Sequence, residues 1–129
     1  MSTLPLSRTA MTASMLQIAG QTGQTCGWSD MQALKAIADR HAHHPGQPHK
    51  AASLLMIDVL ASPLAPQLAA PLALVLAASF LRVNRQGWDI SETEAVLLVE
   101  NARNGALGVD QIARFIDTRL HNDRLAHAS

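Results

Sequence analysis

Between Val59 and Leu81 the chain carries no charged residue, and this stretch limits the fold more than any other feature. It is long enough on paper to cross a bilayer, which takes roughly 20 consecutive apolar residues. Pro63, Pro66, Gln67 and Pro71 interrupt its first half, however, and leave only Leu72 to Leu81 as a clean apolar run. From Leu68 onward the sequence LAAPLALVLAASFL is hydrophobic on every side of a helix. That pattern belongs to a helix buried at the centre of a fold. We therefore expect a central buried helix over roughly Gln67 to Asn84 and no membrane span. Pro71 either falls in its first turn, where no amide is needed, or kinks it.

Punctuation on either side divides the chain into about six helical segments with no strand alternation. A first helix is expected over Thr9 to Ala19, followed by a polar, glycine-rich loop from Gly20 to Gly27. Ser29 is a suitable N-cap for a second helix reaching about His41, with Met31, Leu34, Ile37 and Ala38 inward. Two prolines keep His43 to Pro48 out of a helix, and a third helix resumes over His49 to Ala61. After the central helix, Ser91 and Glu94 form an S-x-x-E capping box that starts a fifth helix running to about Asn104. Gly105 and Gly108 separate it from the last one, whose inward stripe is Val109, Ile112, Ala113, Ile116 and Leu120. The tail from Asn122 to Ser129 is polar. The expected fold is all-α: one compact domain over residues 1–129, a bundle of helices around a central buried one.

Composition excludes several classes of function. With 10 basic and 10 acidic residues among 129, and a formal net charge of zero, the chain has no basic excess for nucleic acid. Aromatics make up 3%, two Trp and two Phe with no Tyr, too few for a base-stacking platform. Hydrophobic residues reach 48%, which argues against disorder. The single Cys26 cannot form an internal disulfide, has neither base nor cation beside it, and suits a reducing compartment. Met1 to Gly20 lacks the compact apolar run of a signal peptide, so a cytoplasmic location is expected.

Two groups of residues carry candidate chemistry. His41, His43, His44 and His49 crowd one short segment, and imidazoles in that number could collect a transition metal. A structural zinc site draws its ligands from separate ordered turns, though, and Pro45, Gly46 and Pro48 suggest a solvated polar loop here. Glycine-rich phosphate cradles and nucleophile elbows are missing from the sequence. Glu92 and Glu100 on the fifth helix read as a wet face, and Glu94 as a cap.

A run of phrases in the second half has a familiar order. Phe80-Leu81-Arg82-Val83-Asn84 ends the central helix, Glu92 to Ala102 forms an acidic and apolar helix, and Gly105 to Leu107 turns into Ile112-Ala113-Arg114-Phe115-Ile116. Upstream stands Lys50-Ala51-Ala52-Ser53-Leu54-Leu55. Together, over about Lys50 to Leu120, these resemble the Doc (death-on-curing) toxins of the Fic/Doc superfamily. That family has a K-A-A-x-L-L helix, a central helix ending in a phrase like F-L-R-L-N-G, and a last helix with I-A-x-W/F-L. The resemblance implies a helical bundle around one central helix, and a transferase that moves a phosphate-containing group from a nucleotide to a protein hydroxyl. It also implies an antitoxin partner that docks an extended segment in a groove.

The family signature, H-P-F-x-[D/E/N]-[G/A]-N-K-R, lies between the K-A-A-x-L-L helix and the central helix. Its His is the base, its acid holds magnesium, and its turn and Lys/Arg pair hold phosphates. The corresponding stretch here, Ser62-Pro63-Leu64-Ala65-Pro66-Gln67-Leu68-Ala69-Ala70-Pro71, keeps only a Pro. Ser62 stands at the position of the base, and no one-residue shift restores a His, an acid or the cationic pair. Pro66 and Pro71 further remove amides that an anion site would use. The segment His44-Pro45-Gly46-Gln47-Pro48-His49-Lys50 mimics the signature but lacks its Phe, acid and Asn, is a residue short, and lies one helix too early. The expected function is a catalytically inactive Doc-like domain, related to toxin–antitoxin pairs, that binds or regulates a protein and needs no cofactor or metal. One alternative is a diverged transferase using His44 or His49 as base and Lys50 as cation, with ATP and magnesium. Another is an unrelated helical adaptor whose apolar surfaces make a homo-oligomer.

Overall fold

The computed structural model describes residues 3–43 and 46–122. Those residues form six helices and one short antiparallel pair of strands: α1 (Arg8–Thr22), α2 (Trp28–Ala42), α3 (Pro48–Ala61), α4 (Pro66–Val83), β1 (Gln86–Trp88), α5 (Glu92–Arg103), α6 (Val109–Arg119) and β2 (Leu120–Asn122). The architecture is all-helical, as the periodicity and punctuation require. The polar tail falls largely outside the described residues.

Helix α4 is the hub. Leu68, Leu72, Leu76, Phe80 and Leu81 are almost completely buried, each contributing about 1.5–3 kcal/mol of apolar burial. Its most extensive partner is α3, and α1 packs on it as well. Small residues at Ala51, Ala52 and Ser53 of α3 let neighbouring backbones approach, and Ser53 Oγ donates to the Val109 carbonyl at 2.6 Å. That bond seats the start of α6 on α3. Helix α2 is tied to α3 by Arg40, whose Nε and Nη2 donate to the two Asp58 carboxylate oxygens at 2.8 and 2.7 Å.

Several boundaries differ from those the sequence suggests, each for a local reason. Helix α1 begins at Arg8 because Ser7 caps it, accepting from the Ala10 amide at 3.1 Å. It runs through Gly20 and stops only at Gly23, whose φ of 72° is the left-handed value glycine takes freely. Ser29 is not the cap of α2. Asp30 accepts from the Gly27 amide at 2.8 Å, which moves the start to Trp28. Pro48 and Pro66 each open a helix at the first position, where a missing amide costs nothing. Pro71 sits past the first turn, inside a continuous α4. Leu54, though apolar and on a helix whose other side is core, is 37% exposed. The Ser91–Glu94 capping box is formed as expected, with both reciprocal bonds at 3.1 Å.

The strands are an unpredicted addition. Antiparallel β1 and β2 pair Gln86 with Asn122, Gly87 with His121 and Trp88 with Leu120. They fasten the chain after α6 to the chain after α4. A second fastening holds the segment before α1. Asn84 Oδ1 accepts from the Leu4 amide at 2.7 Å while its Nδ2 donates to the Leu4 carbonyl at 2.9 Å.

Candidate functional site

Four residues, Ser62 to Ala65, join α3 to α4. Pro63 is exposed, and the other three are at least half-buried. Ser62 Oγ donates to the Val59 carbonyl at 2.6 Å, closing the end of its own helix. Leu64 is buried at 5% exposure. Ala65 is the N-cap of α4 and has no side chain to cap with. Pro66 follows at the first helical position, and Gln67 is exposed beside it. Arg103 Nη2 reaches from the end of α5 and donates to the Pro66 carbonyl at 3.4 Å. The α3–α4 junction from Ser62 to Gln67 thus holds a hydroxyl, a carboxamide, apolar groups and two prolines.

The histidines are dispersed by the fold. His41, in the last turn of α2, is buried and accepts from the Leu6 amide through Nε2 at 2.9 Å. Its ring stands edge-on to Phe80 at a centroid distance of 4.9 Å. His43 closes α2, with Nδ1 donating to the Asp39 carbonyl at 2.7 Å. His44 lies outside the described residues. His49 is in the first turn of α3 and faces α6, with Nδ1 3.9 Å from an Asp117 carboxylate oxygen. Among the described residues no three His, Cys, Asp or Glu side chains gather as a metal site.

His49 and Lys50 instead border an open cleft of about 420 Å³ whose other wall is α6, with Asp110, Arg114 and Asp117. These α6 residues fall at helical spacing opposite the buried Ile112–Ala113–Ile116 stripe. The sequence displays them as a polar face without indicating that His49 lies across from it. Cys26 is half-buried, and burial, with Asp30 second, pushes its thiol above its ordinary value. It stays protonated and unreactive at neutral pH.

A second open groove lies elsewhere, between α1 and α2. Its volume is about 540 Å³. Leu16, Trp28 and Met31 supply the apolar lining, and Arg8 and Lys35 supply the charge. Trp28 is 79% exposed and Leu16 52%. An indole left in water at the rim of a groove is a common anchor for a partner. Sequence pattern marks it only weakly, since Trp28 lies beside a glycine-rich loop, off the periodic inward face of α2.

The described residues therefore define a helical bundle with a filled α3–α4 junction, a mixed-charge cleft at His49 and an apolar groove with a cationic rim. In comparisons with family models, with curated proteins and with solved structures, nothing matches the chain.

Proposed function

We propose that the chain is a Doc-like helical domain without transferase chemistry, acting by protein–protein contact in a toxin–antitoxin or related regulatory setting. The observation that carries this reading is the α3–α4 junction. A base there would have to be Ser62, whose hydroxyl is already donated to the Val59 carbonyl. A phosphate nest there would need amides that Pro66 and Pro71 lack. The succession of α3, a short junction, α4 ending at Phe80–Asn84, the capped α5 and α6 supports the Doc-like scaffold. The exposed Trp28 and its groove support a role in binding protein. In this reading the domain works in the cytoplasm, takes no nucleotide, metal, nucleic acid or membrane, and meets an antitoxin-like segment or a regulated protein.

Calorimetric titration of the protein with ATP and GTP in the presence of magnesium tests the reading. No heat of binding is expected, and no labelled group should pass from nucleotide to co-purified protein. Magnesium-dependent nucleotide binding would overturn it. The His49–Asp117 pair favours one second reading, a diverged enzyme in which His49 is the base and Lys50 and Arg114 attract an anion. In that case His49→Ala would abolish a cellular toxicity phenotype while leaving the fold intact.

A further inference from the structure

Two surfaces far apart in the chain have complementary chemistry. The first is the α1/α2 groove, where apolar Leu16 and Trp28 lie with Arg8 and Lys35. Among the described residues no carboxylate pairs with either cation, and no acidic side chain lines the groove. The second is the outer face of α5. Leu98 and Val99 turn inward, which leaves Val96 and Leu97 exposed at 58% and 55%. Glu92 and Glu100 lie one turn to either side of Val96, in a single exposed row. Among the described residues neither takes part in an ion pair, whereas Glu94 is committed to Arg119. Helix α5 thus presents an apolar pair bracketed by carboxylates, and the groove presents an apolar floor with cations.

We infer that this protein self-associates by seating α5 of one copy in the α1/α2 groove of another. The inference is independent of whether the α3–α4 junction performs chemistry. Within one copy α5 packs on α3 and α4 and not on α1 or α2, so among the described residues the groove is not covered by α5 of the same copy. Two neighbouring helices present a natural seat for a third, at interaxial distances of about 8–10 Å. Docking buries Trp28 and Leu16 against Val96 and Leu97, and brings Glu92 and Glu100 to Arg8 and Lys35. Because the two surfaces differ, the contact is heterologous, and it closes into a reciprocal dimer or a ring, or grows as a chain, according to the rotation between copies. Helix α5 has 12 residues, so its outer face covers less area than the about 800 Å² per partner of a stable complex. The association is therefore expected to be weak and dependent on concentration and salt.

Sedimentation equilibrium on the full chain provides the test, with Trp28→Glu as a groove variant and Leu97→Lys as a face variant. Both positions are exposed, and helical circular dichroism should match the wild type. The wild type is expected to gain mass with concentration and to lose it at high salt. Each variant alone should associate about tenfold or more weakly. Mixing the two should restore a one-to-one dimer, because the Trp28→Glu copy keeps its α5 face and the Leu97→Lys copy keeps its groove. A wild type that stays monomeric overturns the inference and leaves the groove for another protein's acidic helix. Variants that associate like the wild type, or that fail to pair when mixed, also overturn it.

Discussion

Leu6 donates its amide to His41 Nε2 in a buried setting, so this histidine acts as a fixed acceptor. His41→Phe keeps a ring against Phe80 and removes the Nε2 acceptor, leaving the Leu6 amide unsatisfied. It is expected to lower stability by about 1–3 kcal/mol, read from chemical denaturation midpoints. A second residue is strained in the opposite sense. Arg85 has a φ of 62°, a left-handed conformation that costs a residue with a Cβ about 1–2 kcal/mol. Arg85→Gly should stabilise the fold by about 0.5–1 kcal/mol, the relief being partly offset by the greater freedom of glycine in the unfolded chain. A lower melting temperature in that variant would mean that the Arg85 side chain contributes more than its backbone costs.

Helix α5 is held at its start by charge as well as by its cap. The hydrogen bond from Arg119, then that from the Ser91 amide, hold the Glu94 carboxyl below its ordinary value of 4.5. Arg119 Nε donates to Glu94 Oε2 at 2.9 Å, and the guanidinium lies over the Phe115 ring. A carboxyl whose folded value is lowered adds stability that is fully present above 4.5 and is lost as the pH falls through the lowered value. Glu94→Gln should therefore be less stable than the wild type at neutral pH, with the difference vanishing in acid. Urea midpoints over a descending pH series measure this, and a difference that persists in acid would place the effect in packing. In α4 the local rule is broken within the helix. Pro71 has no amide to offer the Gln67 carbonyl, and the helix runs on regardless. Pro71→Ala should raise stability by about 1–3 kcal/mol in thermal or urea unfolding.

At the scale of the whole molecule, what could be read from the sequence was whatever depends on period and punctuation. The uncharged run identified α4, the Ser91–Glu94 pair fixed the start of α5, and the prolines marked α3 and α4. Interactions between distant residues were not legible in the same way. Strands of three residues carry no alternation to detect, so the β1–β2 pairing of Trp88 with Leu120 was invisible. His41 looked like a member of a histidine cluster because neighbours in sequence need not share a direction on a helix. The groove arises from how α1 and α2 meet, which no local pattern records. The same limit bears on α4, since it is the one described helix long and apolar enough to cross a membrane, with a mean hydropathy of 1.5. Its two faces separate a core role from a lipid-facing one. Leu76 is fully buried in the bundle, whereas its neighbour Val75 is 39% exposed. As the core of a bundle in water, α4 should lose about 2–5 kcal/mol on Leu76→Ala. It should tolerate Val75→Lys with a change within about 0.5 kcal/mol, because the ammonium reaches solvent. Thermal unfolding of the two variants in detergent-free buffer measures the contrast. A Val75→Lys variant as damaged as Leu76→Ala would mean that the outer face of α4 is also buried, against lipid or against another protein.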